Sequence, residues 1–194
     1  MIEQLFEKTA DEHIKIITLL KSDPELCLKI KEAGNILFAV FKTGNKLLLC
    51  GNGGSAADCQ HIATELVSRF FMERKALDAE ALTVNTSSLT AIGNDYSFDK
   101  VFSRQLEAKG KKGDVLLAIS TSGNSKNIIE AINTAKGMKI KTIGLTNNNK
   151  NNLISRVSDV CINVPSSSTP RVQEAHILIG HVLCEFLESG LFKR

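Results

Sequence analysis

Apolar residues recur at helical spacing over the first forty positions, then gather into short unbroken runs. Ile2, Leu5, Phe6, Ile16, Ile17 and Leu20, with His13 among them, fall mostly three or four apart and predict a helix over about 2–20. Ser22-Asp23-Pro24 breaks that pattern and starts a second helix through about Phe41. From Lys46 onward the pattern alternates. Runs near 46–50, 80–85, 114–119, 140–145 and 159–164 predict strands, and the segments near 55–71, 86–93, 98–109, 125–137 and 170–191 predict helices. Val115-Leu116-Leu117-Ala118-Ile119 is a continuous apolar run of the kind parallel strands use when both faces are covered. The alternation predicts an α/β fold, a three-layer doubly wound sandwich with a five-stranded parallel sheet behind N-terminal helices. In such sheets ligands collect at the carboxyl ends of the strands, which puts weight on the loops after Cys50, Ile119 and Leu145.

With 194 residues the chain is sized as one domain, 1–194. Residues 1–43 form a helical extension whose apolar positions need a surface to cover, and a second copy of the chain is the expected one. A net charge of +3 is scattered and not clustered, and with one Tyr and no Trp there is little for bases to stack on, so nucleic-acid binding is not the expected role. No apolar run is long enough to span a bilayer, and Met1-Ile2-Glu3-Gln4-Leu5-Phe6-Glu7 lacks the basic start and apolar stretch of a signal peptide. The five cysteines include no CxxC pair, and Cys50, Cys161 and Cys184 sit in apolar runs. They read as reduced core thiols of a cytoplasmic protein without a membrane partner. Asn147-Asn148-Asn149-Lys150-Asn151-Asn152 reads as a solvated loop.

Candidate chemistry begins where the first strand runs into Gly51-Asn52-Gly53-Gly54-Ser55 and a helix opens. Glycines there let backbone N–H groups approach a bound anion, and the helix N-terminus favours negative charge. The spacing is not that of a dinucleotide loop, since Ala56 stands where a third glycine is required, and no Walker lysine follows. On the same helix His61 and Glu65 are one turn apart on one face. After the third strand, Ser120-Thr121-Ser122-Gly123-Asn124-Ser125 brings four hydroxyls to another helix start, which suits a phosphate monoester; Ser125 is expected to cap that helix. Asn94 and Asp95, in the polar turn after Gly93, suit the hydroxyls of a polyol as well as a plain turn. The last helix carries Gln173 and His181, with Glu174, seven residues before His181 and nearly in line with it, and His176 as competing candidates. His61, Glu65, Gln173 and His181 make a donor set for zinc or another borderline cation, yet Gln173 and His181 lie eight residues, or about 12 Å, apart on a straight helix. Side chains leaning together, a distorted first turn, or ligands from different subunits would each reconcile this.

Taken in order, Cys50-Gly-Asn-Gly-Gly-Ser55, His61-xxx-Glu65-xxx-Arg69, Gly93-Asn94-Asp95, Ser120-Thr-Ser-Gly-Asn-Ser125 and Arg171-Val-Gln-Glu174 with His181 resemble the bacterial phosphoheptose isomerase family of sugar-isomerase (SIS) domain proteins. The resemblance implies a single SIS domain and a cytoplasmic homotetramer with active sites shared between subunits. It implies an enzyme that converts sedoheptulose 7-phosphate to D-glycero-D-manno-heptose 7-phosphate, toward the heptose of lipopolysaccharide or related surface glycans. Carried over by position, phosphate contacts fall on Ser120, Thr121, Ser122 and Ser125, and further substrate contacts on Asn52, Gly53, Gly54, Ser55, Glu65, Arg69, Asn94, Asp95 and Gln173. Zinc ligands fall on His61, Glu65, Gln173 and His181, and the proton-transfer pair is Glu65 with His181. No organic cofactor is implied, because no electrons leave the substrate. Two other readings share the fold: a non-enzymatic SIS protein that binds the replication initiator, and an isomerase for another sugar phosphate. The presence of both Glu65 and His181 favours an enzyme over the first, whereas the phosphate loop cannot measure chain length against the second.

Overall fold

Asp23 both ends the first helix and starts the second. Its carboxylate accepts from the Glu25 and Leu26 N–H groups at 2.9 and 3.2 Å, and Pro24 sits in the first turn, where its missing N–H costs nothing. The chain is seen here in a computed structural model that describes residues 1–192. Helices α1 (Ile2–Ser22) and α2 (Pro24–Lys42) precede β1 (Leu47–Gly51), α3 (Gly54–Val67), β2 (Ala79–Ala81) and α4 (Thr86–Asp95). A 3-10 turn at Phe98–Lys100 leads to α5 (Ser103–Lys109), β3 (Val115–Ile119), α6 (Lys126–Gly137), β4 (Lys141–Asn147), α7 (Leu153–Val157), β5 (Val160–Val164) and α8 (Thr169–Leu191).

The five strands are parallel throughout, in the order β2-β1-β3-β4-β5. Side chains alternate faces along each strand. Leu47, Leu49, Val115, Leu117 and Ile119 enter a core shared with α1, α2, α3 and α8, while Leu48, Cys50, Leu116 and Ala118 face α5, α6 and α7. Both faces are covered, as the unbroken apolar runs require. The chain leaves β1 toward β2 on one side and returns to pair β3 on the other, so the crevice between the carboxyl ends of β1 and β3 is the topological switch point.

Several elements differ in extent from the sequence expectation. β2 covers 79–81 of the expected 80–85 and turns away after Leu82, whose N–H still reaches the Leu49 carbonyl at 2.8 Å. The expected helix at 98–109 is a 3-10 turn followed by a short α5. The 147–152 segment is not a solvated loop throughout. Asn152 is buried, donates to Thr146 Oγ1 at 3.1 Å and caps α7 by accepting from Ser155 N–H at 3.0 Å. All five cysteines are free thiols. Cys50, Cys59 and Cys184 are buried, with burial pushing the Cys184 thiol up to about 12, whereas Cys161 is half-buried and Cys27 is exposed. No helix among the described residues is long and apolar enough to cross a membrane.

Candidate active site

The glycine-rich turn lies at the switch point. Of its three glycines Gly53 alone takes a positive φ, 55°, and this lets the chain reverse into α3. Ser55 is buried in the first turn, and Asn52 is half-buried. The Gln173 amide packs directly on Gly54, where a Cβ would stand 2.1 Å from Nε2.

On the other side of the crevice, the serine loop folds its hydroxyls inward. Ser120 Oγ lies 3.4 Å from Ser122 Oγ and 3.2 Å from Ser125 Oγ, and accepts from the Gly123 N–H at 3.1 Å. Ser125 occupies the N-cap position of α6, but its hydroxyl makes no capping bond and turns to Ser120 instead. Three hydroxyls therefore converge in front of helix N–H groups that have no intrahelical acceptor, which suits the oxygens of a phosphate dianion. Thr121 is half-buried in the same loop and outside that hydroxyl network. The loop is buttressed from behind. Gly123, with φ 69°, lies against the Asn152 amide and Thr146 Oγ1, its carbonyl accepts from Ile154 N–H at 2.9 Å, and Asn124 Oδ1 accepts from Leu153 N–H at 3.0 Å.

Helices α3 and α8 run parallel in close contact. The contacting pairs keep nearly constant sequence separations, 119 for Gly54–Gln173, 118 for Ile62–Gly180 and 120 for His61–His181, which only parallel helices can do. The approach is close because Gly180 faces Ile62, where a Cβ would meet Cδ1 at 2.6 Å. At the level of this contact, on the residues next to Ile62 and Gly180, the imidazoles of His61 and His181 meet with Nε2 atoms 2.8 Å apart, and Glu65 Oε1 lies 3.4 Å from His61 Nε2. Two imidazole lone pairs cannot face each other at that distance, so a proton or a cation lies between them. His61, Glu65 and His181 each offer one ligand atom, all within 4.8 Å of one another. This donor set of two imidazoles and a carboxylate fits a borderline divalent cation. Gln173 lies about two helical turns from His61 along the pair.

The segment after α3 closes over this group. Glu188 is buried and accepts from the N–H groups of Phe70, Phe71 and Met72 at 3.2, 2.7 and 3.2 Å, and from Arg74 Nε at 3.2 Å. Burial alone pushes its carboxyl pKa up, but those N–H groups and the guanidinium outweigh it and hold it below the ordinary range. Arg74 in turn donates to the Glu65 and Leu66 carbonyls at 2.7 and 2.6 Å. This satisfies the end of α3 and explains why that helix stops at Val67 and not at the expected residue 71. The Phe70 ring is thereby held 5.8 Å from that of His181.

Arg69 is exposed just past α3, and Asn94 and Asp95 are exposed in the last turn of α4, where Asn94 Nδ2 donates to Asp95 Oδ1 at 2.9 Å. Glu174 pairs with His13 and Arg171. His176 is buried, with Nε2 donating to the Thr146 carbonyl and Nδ1 without a partner; burial lowers its pKa to about 4. Both belong to the packing of α8. Sequence reasoning missed Asn127, Asn152, Arg74 and Glu188 as supports of the site. Only Asn127 carried a signal, its place in the first turn of the helix behind the serine loop.

A profile of the SIS domain matches residues 15–147. The phosphoheptose isomerase of Clostridium acetobutylicum is 55% identical over 174 residues, covering 88% of this chain and 86% of that protein. The phosphoheptose isomerase of Nitratiruptor sp. is 52% identical over 193 residues, covering 98% of this chain and 100% of its own length. The structure of phosphoheptose isomerase GmhA from Neisseria gonorrhoeae superposes with a TM-score of 0.90 at 40% identity, covering 97% of this chain and 100% of that one. By profile, sequence and fold, the chain belongs to the phosphoheptose isomerase family of SIS-domain proteins.

Proposed function

We propose that this chain is an aldose–ketose isomerase that interconverts sedoheptulose 7-phosphate and D-glycero-D-manno-heptose 7-phosphate. The observation that carries the reading is the meeting of Glu65 and His181, from separate helices, within 4.8 Å on one half-buried face. Moving a carbonyl between C2 and C1 needs a base to take a proton beside the carbonyl, and an acid to serve the oxygens as an enediol forms and collapses. Glu65 takes the C1 proton of the ketose and returns one at C2; His181 gives and takes the hydroxyl proton. Ser120, Thr121, Ser122 and Ser125, with the N-terminus of α6, hold the phosphate. Asn52, Gly53, Gly54, Ser55, Arg69, Asn94, Asp95 and Gln173 orient the polyol. His61, Glu65 and His181 would hold zinc, whereas Gln173, packed on Gly54 two turns away, would reach that set only by a lean of its side chain or across a subunit boundary; a bound zinc ion would supply Lewis-acid polarisation of substrate oxygens. No organic cofactor enters.

The active assembly is a cytoplasmic homotetramer with sites shared between copies, feeding heptose into surface glycan synthesis. Support for assembly comes from α1, where Ile2, Leu5 and Phe6 are 73%, 57% and 73% exposed, an apolar face that favours a second copy over water. NMR of the purified protein with sedoheptulose 7-phosphate in deuterated water tests the chemistry. The expected result is aldose product carrying deuterium at C2, with turnover falling on chelation and returning with zinc. No conversion in metal-replete buffer refutes the reading.

A further inference from the structure

The geometry points to Asn127 as a positioning residue that locks the glycine-rich turn to the serine loop through Asn52. Asn127 is 2% exposed in the first turn of α6, and its amide forms a reciprocal pair with that of Asn52. Asn52 Nδ2 donates to Asn127 Oδ1 and Asn127 Nδ2 donates to Asn52 Oδ1, both at 2.9 Å. The pair spans the switch-point crevice, joining the turn after β1 to the helix that begins behind Ser120–Ser125. Among the described residues, it is the only side-chain hydrogen bond made by any residue from Gly51 to Ser55. Beyond the ladder of β1, the turn's local backbone bonds run from Ser55 N–H to the Asn52 carbonyl and from the Ala56 and Ala57 N–H groups to the Gly53 carbonyl. A glycine-rich turn has many accessible conformations, so one two-point tether strongly selects among them. The pair also uses one hydrogen and one lone pair of the Asn52 amide, leaving its second Nδ2 hydrogen aimed by Asn127. The two loops are thereby held at one separation, so that a ligand anchored at the hydroxyls meets the turn in a single register.

This assignment rests on the isomerase reading for its kinetic arm only. Asn127→Ala is expected to lower kcat/KM for sedoheptulose 7-phosphate at least tenfold. Competitive inhibition by inorganic phosphate, which needs the serine loop alone, stays within twofold. Asn52→Ala removes the same tether together with its own substrate contact and is expected to lose at least as much, and the double variant to lose no more than Asn52→Ala alone, because Asn127 acts only through Asn52. Asn127→Asp keeps the shape and one of the two bonds, and is expected to fall between wild type and Asn127→Ala. Hydrogen exchange reads the tether without turnover: in Asn127→Ala the Ser55 and Ala56 amides should exchange at least tenfold faster, with β3 unchanged. Additive losses in the double variant, an equal loss of phosphate binding, or unchanged exchange at Ser55 and Ala56 would each overturn the assignment. A wild-type protein that turns over no sugar phosphate defeats the isomerase reading, and exchange then decides the tether alone.

Discussion

Gly180→Ala tests whether the close packing of α3 and α8 sets the His61–Glu65–His181 geometry. The added Cβ would stand 2.6 and 2.8 Å from Ile62 Cδ1 and Cγ1, and Ile62 is itself 2% exposed, so another rotamer would meet packed neighbours. Carbon atoms rest at about 3.5–4.0 Å, so α8 must back off by roughly 1 Å at this level. The next residue is His181, whose Nε2 then leaves hydrogen-bonding range of His61 Nε2, now 2.8 Å away. Stability and function should part company. Overpacking costs about 1–3 kcal/mol, and replacing a mid-helix glycine with alanine returns about 1 kcal/mol, so the melting temperature should fall by only a few degrees. A misplacement of about 1 Å in reacting groups can cost on the order of 100-fold in rate, so kcat/KM should fall far more than stability does. Turnover of sedoheptulose 7-phosphate and a thermal melt read the two effects. Adding Ile62→Ala removes both clashing atoms and should restore much of the lost kcat/KM. Turnover within twofold of wild type for Gly180→Ala, or a double variant showing the simple product of the single losses, would refute the reasoning.

Other expectations follow from the same geometry. Ser120→Ala or Ser122→Ala removes a hydrogen bond to a charged group, worth about 1.5–3 kcal/mol, and should raise KM about tenfold or more; an unaltered KM would place the phosphate elsewhere. Glu65→Gln should abolish proton transfer while sugar-phosphate binding persists in calorimetry, and undiminished turnover would remove Glu65 from the reaction. Glu188→Gln leaves Arg74 buried without its counter-charge and should lower urea-unfolding stability by about 3 kcal/mol, whereas an unmoved midpoint would deny it an anchoring role. His176 has its pKa lowered to about 4 from an ordinary value near 6.5, so it favours the folded state at neutral pH, and that advantage is lost as pH falls from about 6.5 toward 4. By pH 4.5 this amounts to about 2–3 kcal/mol, read as the difference in pH dependence of unfolding between wild type and His176→Phe; identical profiles would contradict it.

Much of the sheet was legible because a parallel strand covered on both faces must be apolar along its whole length, as Val115–Ile119 is. The convergence of the serine-loop hydroxyls was legible too, since a strand-to-helix junction crowds them at one helix start, although Ser125 turns to Ser120 and does not cap α6 as expected. The Asn147–Asn152 run misled for a physical reason. Six polar residues in a row look solvated, but Asn152 satisfies its amide on Thr146 and on the α7 backbone, and so can be buried without penalty. Nothing local to Asn152 signals those partners. The length of β2 was misjudged similarly, because Leu82 and Val84 continue an apolar pattern after the hydrogen-bonded ladder has ended.

The site divides along the same line. The spacing of His61 and Glu65 follows from helical periodicity within one element and can be read directly. What brings His181 to them is the relative direction and register of α3 and α8, a property of two elements whose only trace in sequence is Gly180. That trace is ambiguous, because a glycine in a helix can equally be a defect. It becomes informative only once Ile62 is known to occupy the space where its Cβ would be. The puzzle of Gln173 and His181, eight residues apart on one helix, takes its form from the same geometry. Parallel packing sets Gln173 beside Gly54, at the start of the neighbouring helix, and His181 beside His61, two turns later. Along this one seam between helices α8 faces first the glycine-rich turn and then the His61–Glu65 pair, so any shift of the seam moves both.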